Sequence, residues 1–100
     1  MDIKTNIEGG KATFTLEGKL TVQTSPDLSD AVDRLPESVH DVDIDVANLV
    51  YVASAGLRVL VAIDKLTMAR GGTMRVLHPC PDVMEVLDMT GLSEVFEIVE

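Results

Sequence analysis

Cysteine occurs once, at Cys80, and tryptophan is absent. A single thiol cannot form an intrachain disulfide, and neither a signal peptide nor an apolar run of membrane-spanning length is recognisable. Both observations point to the reducing cytoplasm. Aromatic residues make up only 3% of the chain, so Leu, Val, Ile and Met must fill the interior, and stacking platforms for nucleobases are not expected. Basic residues are scarce as well: 8 Lys and Arg face 17 Asp and Glu, a formal charge of −9 that repels phosphate backbones and anionic lipid surfaces. Neither nucleic acid nor a membrane surface is therefore expected as a direct partner. His40 and His78 lie far apart and, with one cysteine, form no metal-ligand spacing, so no metal and no cofactor are expected.

What the chain does have is enough apolar residue, 46% of 100 positions, to bury a core as one domain spanning residues 1–100. Ile3, Thr5 and Ile7 alternate with Lys4 and Asn6, and after Gly9-Gly10-Lys11 the alternation resumes at Ala12, Phe14 and Leu16, which predicts a β-hairpin. Thr24-Ser25-Pro26 reads as a helix start with Ser25 as cap and Pro26 at the first helical position. Leu28, Ala31, Val32 and Leu35 then recur at helical spacing up to Pro36. Val42, Ile44 and Val46 alternate with Asp43 and Asp45, the pattern of a strand with one solvated face, and that reading explains the aspartates at 41, 43 and 45 more simply than a magnesium site does.

The central stretch runs from Val46 to Arg70. An apolar run reaches the small residues Ala53-Ser54-Ala55-Gly56, and a helical pattern over Ala55–Ala69 continues to the break at Gly71-Gly72. Ser54 is placed as the helix cap, and the free N–H groups and positive dipole end of a helix start also tolerate an added phosphate. Val59, Leu60, Ile63 and Leu66 are assigned to the core, while Leu57, Val61 and Met68 fall on a second stripe that either meets further core or offers a contact surface. With Leu57 on such a surface, Leu57→Glu is expected to change stability by no more than about 1 kcal/mol. Thr73–Leu77 is predicted as a strand parallel to the 42–46 strand, Pro81-Asp82 as the start of a third helix with Val83, Val86 and Leu87 inward, and Val95, Phe96 and Ile98 as a short last strand. The fold expected is α/β, a mixed sheet of four or five strands with helices mainly on one face.

The segment Val50-Tyr51-Val52-Ala53-Ser54-Ala55-Gly56-Leu57-Arg58-Val59-Leu60 resembles the signature of the STAS domain family, the bacterial anti-anti-sigma factors, whose loop typically reads Asp-Ser-Ser/Thr-Gly-Leu or Ser-Ser-Ala-Gly-Leu-Arg. Gly18-Lys19-Leu20-Thr21 with Thr24 is similar to the family's early Gly-Glu-Leu-Asp…Thr segment. Gly71-Gly72, Pro81 and Leu87-Asp88-Met89-Thr90-Gly91-Leu92 match later landmarks, so the resemblance covers nearly the whole chain. It implies an anti-sigma factor antagonist whose partner is an anti-sigma factor with an ATP-dependent serine-kinase fold, with Ser54 as the phosphorylated serine. Unmodified protein would bind the partner and free the sigma factor, and modified protein would not. The resemblance further implies one contact surface formed by Thr21, Ala53, Ser54, Ala55, Gly56, Leu57, Arg58 and Val61. Where many members carry Asp before the serine this chain has Ala53, and where many carry Asp in the early segment it has Thr21.

Two further readings stand beside this one. Val52-Ala53-Ser54-Ala55-Gly56 distantly resembles a nucleophile elbow, but Val52 occupies the place of its first glycine, and 100 residues leave none spare for a substrate pocket or lid, so an enzyme is not expected. The alternative within the family is a STAS module without a phosphorylation switch, serving as a scaffold or as a subunit of a signalling or transport complex. The oligomeric state is open in either case.

Overall fold

Alternation over the first twenty residues becomes an antiparallel hairpin, β1 (Asp2–Glu8) and β2 (Lys11–Leu20), with Glu8 opposite Lys11. Gly9 supplies the positive φ of 59° that this tight connection requires. The computed structural model, which describes all 100 residues, continues with α1 (Ser25–Asp33), β3 (Asp41–Val52), α2 (Ser54–Ala69), β4 (Met74–Leu77), α3 (Pro81–Met89), a short 3₁₀ turn (Leu92–Glu94) and β5 (Glu97–Val99).

The five strands lie in the order β1-β2-β3-β4-β5, the order of the chain, and every pair after the first is parallel. Each parallel step therefore moves across the sheet in the same direction. Right-handed crossovers made in one direction deliver α1, α2 and α3 to the same face. Phe14 and Leu16 of β2, Ile44 and Val46 of β3 and Val76 of β4 are buried with Leu28, Leu60, Ile63, Val83 and Leu87 of the helices in one core.

The face without helices carries Lys11, Thr13, Asp43, Arg75 and Glu97, and the register aligns Thr13, Asp43, Arg75 and Glu97 in a row across four strands. Asp43 does not lie on a solvated surface as its alternation suggests, for it is only 4% exposed. Arg75 donates to both of its carboxylate oxygens, at 2.9 and 2.7 Å, and Lys11 Nζ approaches to 2.6 Å. Burial pushes the Asp43 carboxyl up, but the Arg75 and Lys11 hydrogen bonds and charges outweigh it and hold the group below the ordinary carboxylate value. Asp41 Oδ1 accepts from Thr73 N at 3.0 Å, and Asp45 Oδ1 accepts from Ala47 N at 3.0 Å. All three aspartates thus serve the sheet itself.

β3 runs six residues beyond Val46, where the predicted alternation ends. Its register against β2 shifts between Thr15 and Glu17 and again between Gly18 and Lys19. Irregular pairing of this kind changes the face on which following side chains emerge. The buried apolar positions accordingly run Val42, Ile44, Val46, Leu49 and Val52, while Val50 and Tyr51 are exposed.

α3 starts at Pro81 as expected, while the caps of α1 and α2 lie one residue before the expected ones. Thr24, not Ser25, occupies the cap position of α1 and makes no side-chain capping bond. Its hydroxyl instead accepts from Thr21 N at 2.7 Å and donates to Lys19 O at 2.8 Å, and Ser25 Oγ donates to Thr21 O. These hydroxyls fasten the turn to the end of β2. The last strand is also shorter than predicted: Val95 lies before it and is exposed, while Phe96 anchors the segment in the core.

Candidate functional site

The end of β2, the end of β3 and the start of α2 meet where Ala53 N donates to Leu20 O at 2.8 Å. Ala53, with φ −91° and ψ 169°, is the cap residue of α2, and its carbonyl accepts from Leu57 N at 3.0 Å. Ser54 is therefore the first helical residue and not the cap, and no side-chain capping bond is made at this helix start. Its side chain is exposed, and no hydrogen bond ties its hydroxyl to another group of the chain.

Gly56 explains how α2 can begin so close to β2. A Cβ at this position would lie 2.6 Å from Leu20 Cγ, 2.7 Å from Leu20 Cδ2 and 3.1 Å from Val52 Cγ2. Helix and strand end approach at a distance that only a hydrogen atom fits. Gly56 is thus a packing residue beneath the surface, and Ala55 above it is half-buried.

Leu57 is core: it is 9% exposed and joins Leu60 and Ile63 against the sheet. The expected surface role is corrected to a buried side chain with one exposed edge, because the buried stripe of α2 begins at Gly56-Leu57 and continues through Leu60, Ile63 and Thr67. Val59 and Leu66, assigned to that stripe from spacing, are half-buried and turn toward α1.

Two shallow grooves flank the start of α2. One, of about 420 Å³, is lined by Ser54, Leu57, Arg58, Val61, Thr90 and Leu92. The other, of about 350 Å³, lies toward α1, with Val22, Pro26, Asp30, Ala55, Arg58 and Val59 in its wall. Arg58 belongs to both and makes no ion pair or hydrogen bond within the chain. Of the expected surface residues, Ser54, Leu57, Arg58 and Val61 share the first groove, and Ala55 joins Arg58 in the second. Thr21 lines neither: its hydroxyl accepts from Gln23 N at 3.2 Å and Thr24 N at 3.3 Å inside the turn. Sequence reading missed Val22, 70% exposed beside Thr21, and Thr90 as a groove wall. Leu92 had a signal, since the Gly91 turn predicts that it packs back, but nothing local shows against what.

A sheet whose strand order never reverses lacks the crevice at which open α/β sheets hold small ligands beyond their strand ends. No histidine lines either groove, and His78 sits after β4 with its backbone N–H bonded to Val99 O. Fold and site together describe a small α/β binding domain that offers a shallow surface around a helix start. Residues 3–100 match the sequence model of the family described as "Mlab, STAS domain", and the chain belongs to the STAS domain family. A curated relative, the anti-sigma-B factor antagonist of Bacillus subtilis, is 26% identical over 98 residues, which cover 98% of this chain and 88% of the relative. Among solved structures, an anti-sigma factor antagonist from Mycobacterium paratuberculosis superposes with a TM-score of 0.85 at 21% identity, over 98% of this chain and 84% of that one. The Bacillus cell fate determinant SpoIIAA in its phosphorylated form superposes with a TM-score of 0.70 at 17% identity, over 99% of this chain and 92% of that one. No helix is long and apolar enough to cross a membrane.

Proposed function

We propose that this protein is an anti-sigma factor antagonist: it binds an anti-sigma factor of the serine-kinase type through the start of α2 and so frees a sigma factor, and phosphorylation of Ser54 ends that binding. The observation that carries the reading is the hydroxyl of Ser54, exposed at the first position of α2, free of any hydrogen bond within the chain and open to a kinase. The name of the Bacillus subtilis relative supports the partner class. That SpoIIAA, a protein of the same fold, has a phosphorylated form supports the switch.

The groove at Ser54 would be covered in the complex. A phosphate there adds about −1.5 to −2 charges. The helix start tolerates this charge in the free protein, whereas the complex would have to strip its water and hold it against the partner. Desolvating an unpaired charge costs several kcal/mol.

A second reading, a STAS module without a switch, draws support from the turn before α1. Where relatives of the wider family offer a carboxylate, Thr21 turns its hydroxyl into the turn's own hydrogen bonds, and Ala53 offers no charge at the cap. Incubating the protein with kinase-type anti-sigma factors and ATP, with intact mass as the readout, separates the two. One phosphate on wild type and none on Ser54→Ala is the expected result. An unmodified wild type that still binds an anti-sigma factor would leave the unswitched module.

A further inference from the structure

We propose that the anti-sigma factor meets this surface with a carboxylate, held by Arg58 and flanked by apolar side chains that enter the two grooves beside α2. This rests on the reading of the α2 start as the partner surface and adds to it the chemistry of the opposing face.

Arg58 is the only charged residue lining the Ser54 groove. The chain has 8 basic residues against 17 acidic ones, and two of its four arginines are committed within the fold. Arg75 is held by Asp43, and Arg70 donates to Pro36 O and Val39 O. Arg58 has no such partner: apolar Leu57, Val61 and Leu92 stand beside it in the Ser54 groove, and in the other groove Val22, Pro26 and Val59 share the wall with Ser25, Ser29 and Asp30, whose carboxylate forms no ion pair with it. A partner that covers both grooves takes this guanidinium out of water.

Three classes of occupant can then be compared. A wholly apolar segment would leave a buried, unpaired cation, which is costly. A basic segment would add repulsion to that cost. A polyanion would gain Arg58 but meet the net charge of −9 carried by the rest of the molecule. A single carboxylate between apolar residues satisfies the planar, two-pronged donor geometry of arginine, whose stem lies along apolar surface. No carboxylate of this chain lines the Ser54 groove to compete for Arg58, and Asp30 in the second groove makes no ion pair with it.

The test uses the full chain and each purified kinase-type anti-sigma factor of the source genome, with affinity read by calorimetry. For a factor that binds wild type, Arg58→Glu should weaken binding on the order of 100-fold, as expected for breaking a buried charge pair. Arg58→Lys should weaken it less, because the point charge remains while the fork is lost. The thermal midpoint of both variants should stay at the wild-type value, since Arg58 is exposed and unpaired. Replacing single Asp and Glu residues of the factor by Lys should identify one change that restores binding to Arg58→Glu. Wild type binding that Arg58→Glu leaves within about twofold, or a loss that none of the Asp and Glu replacements restores, overturns this inference while the proposed function stands. Failure of wild type to bind any such factor overturns both.

Discussion

Gly56→Ala sets a gain against a loss at one position, and the geometry decides between them. Replacing glycine by alanine within a helix ordinarily stabilises by about 0.5–1 kcal/mol. Here the added methyl would sit 2.6 and 2.7 Å from Leu20 and 3.1 Å from Val52. Favourable carbon–carbon contact lies at about 3.5–4.0 Å, so something must move by most of an ångström. Leu20 is fully buried and cannot swing into solvent, and Ala53 N–H ties the two segments together through Leu20 O. Overpacking of this kind costs about 1–3 kcal/mol. With Leu20 unable to yield, the cost lies in the upper part of that range, about 2–3 kcal/mol, and exceeds the gain by about 1–2.5 kcal/mol, which for a domain of this size lowers the thermal midpoint by roughly 4–8 °C per kcal/mol. Urea and thermal unfolding followed by circular dichroism measure it. A cycle with Leu20→Ala identifies the cause, because the two substitutions should be markedly non-additive when they share one contact. A Gly56→Ala protein as stable as wild type, or strict additivity in the cycle, would refute the close-approach account.

The other expectations concern the same helix and the open sheet face. Leu57→Ala should lower stability by about 2–3 kcal/mol in urea unfolding, the lower part of the range for buried leucine, since one edge faces the groove; a change under about 0.5 kcal/mol would return Leu57 to the surface. Ser54→Ala should leave stability within about 0.5 kcal/mol because no capping bond is lost, and Ser54→Asp should be equally well folded, its charge favoured by the helix dipole. In calorimetry at matched salt the Ala variant should bind the anti-sigma factor and the Asp variant should not; equal affinities would exclude an electrostatic switch. Asp43 is held below its unfolded value of about 3.9, so its contribution is present above that pH and is lost as pH falls through the lower folded value. The urea midpoints of wild type and Asp43→Asn should accordingly differ at neutral pH and converge below about pH 4. A gap that stays constant with pH would mean that the Arg75 and Lys11 interactions do not depend on the Asp43 charge.

Element type was legible wherever one period ran undisturbed. Ile44 and Val46 announce β3, and the spacing of Leu28 and Val32 announces α1, because burial on one face leaves a repeating mark in the chain; Leu35, at the next step of that spacing, is buried just past the end of α1 at Asp33. The second half of β3 left no such mark: two register shifts change the spacing of buried residues from two to three, and a fixed-period reading stops at Val46. Asp43 was misplaced for a related reason. Alternation identifies the face of the sheet but not the cation on the neighbouring strand that covers it, and Arg75 lies 32 positions further on. Ser54, Arg58 and Val61 could be found from the local motif. Thr90, Leu92 and Val22 could not, because they come to α2 through the crossovers and the turn after β2, which no local pattern describes.

The agreement between strand order and chain order also bears on how the molecule comes into being. A sheet that grows in the direction of synthesis always has its next docking edge already formed: β3 emerges to find β2, β4 to find β3, and no strand must wait for, or be threaded between, partners made later. Each new strand brings its covering helix to the same side, so the apolar surface left bare at any moment is confined to the most recent addition. Such an advancing edge is the hazard of this architecture, since an unpaired strand is a template for another chain. The outermost strand on that side, Glu97–Val99, has only three residues, and so short an edge offers little template to another chain.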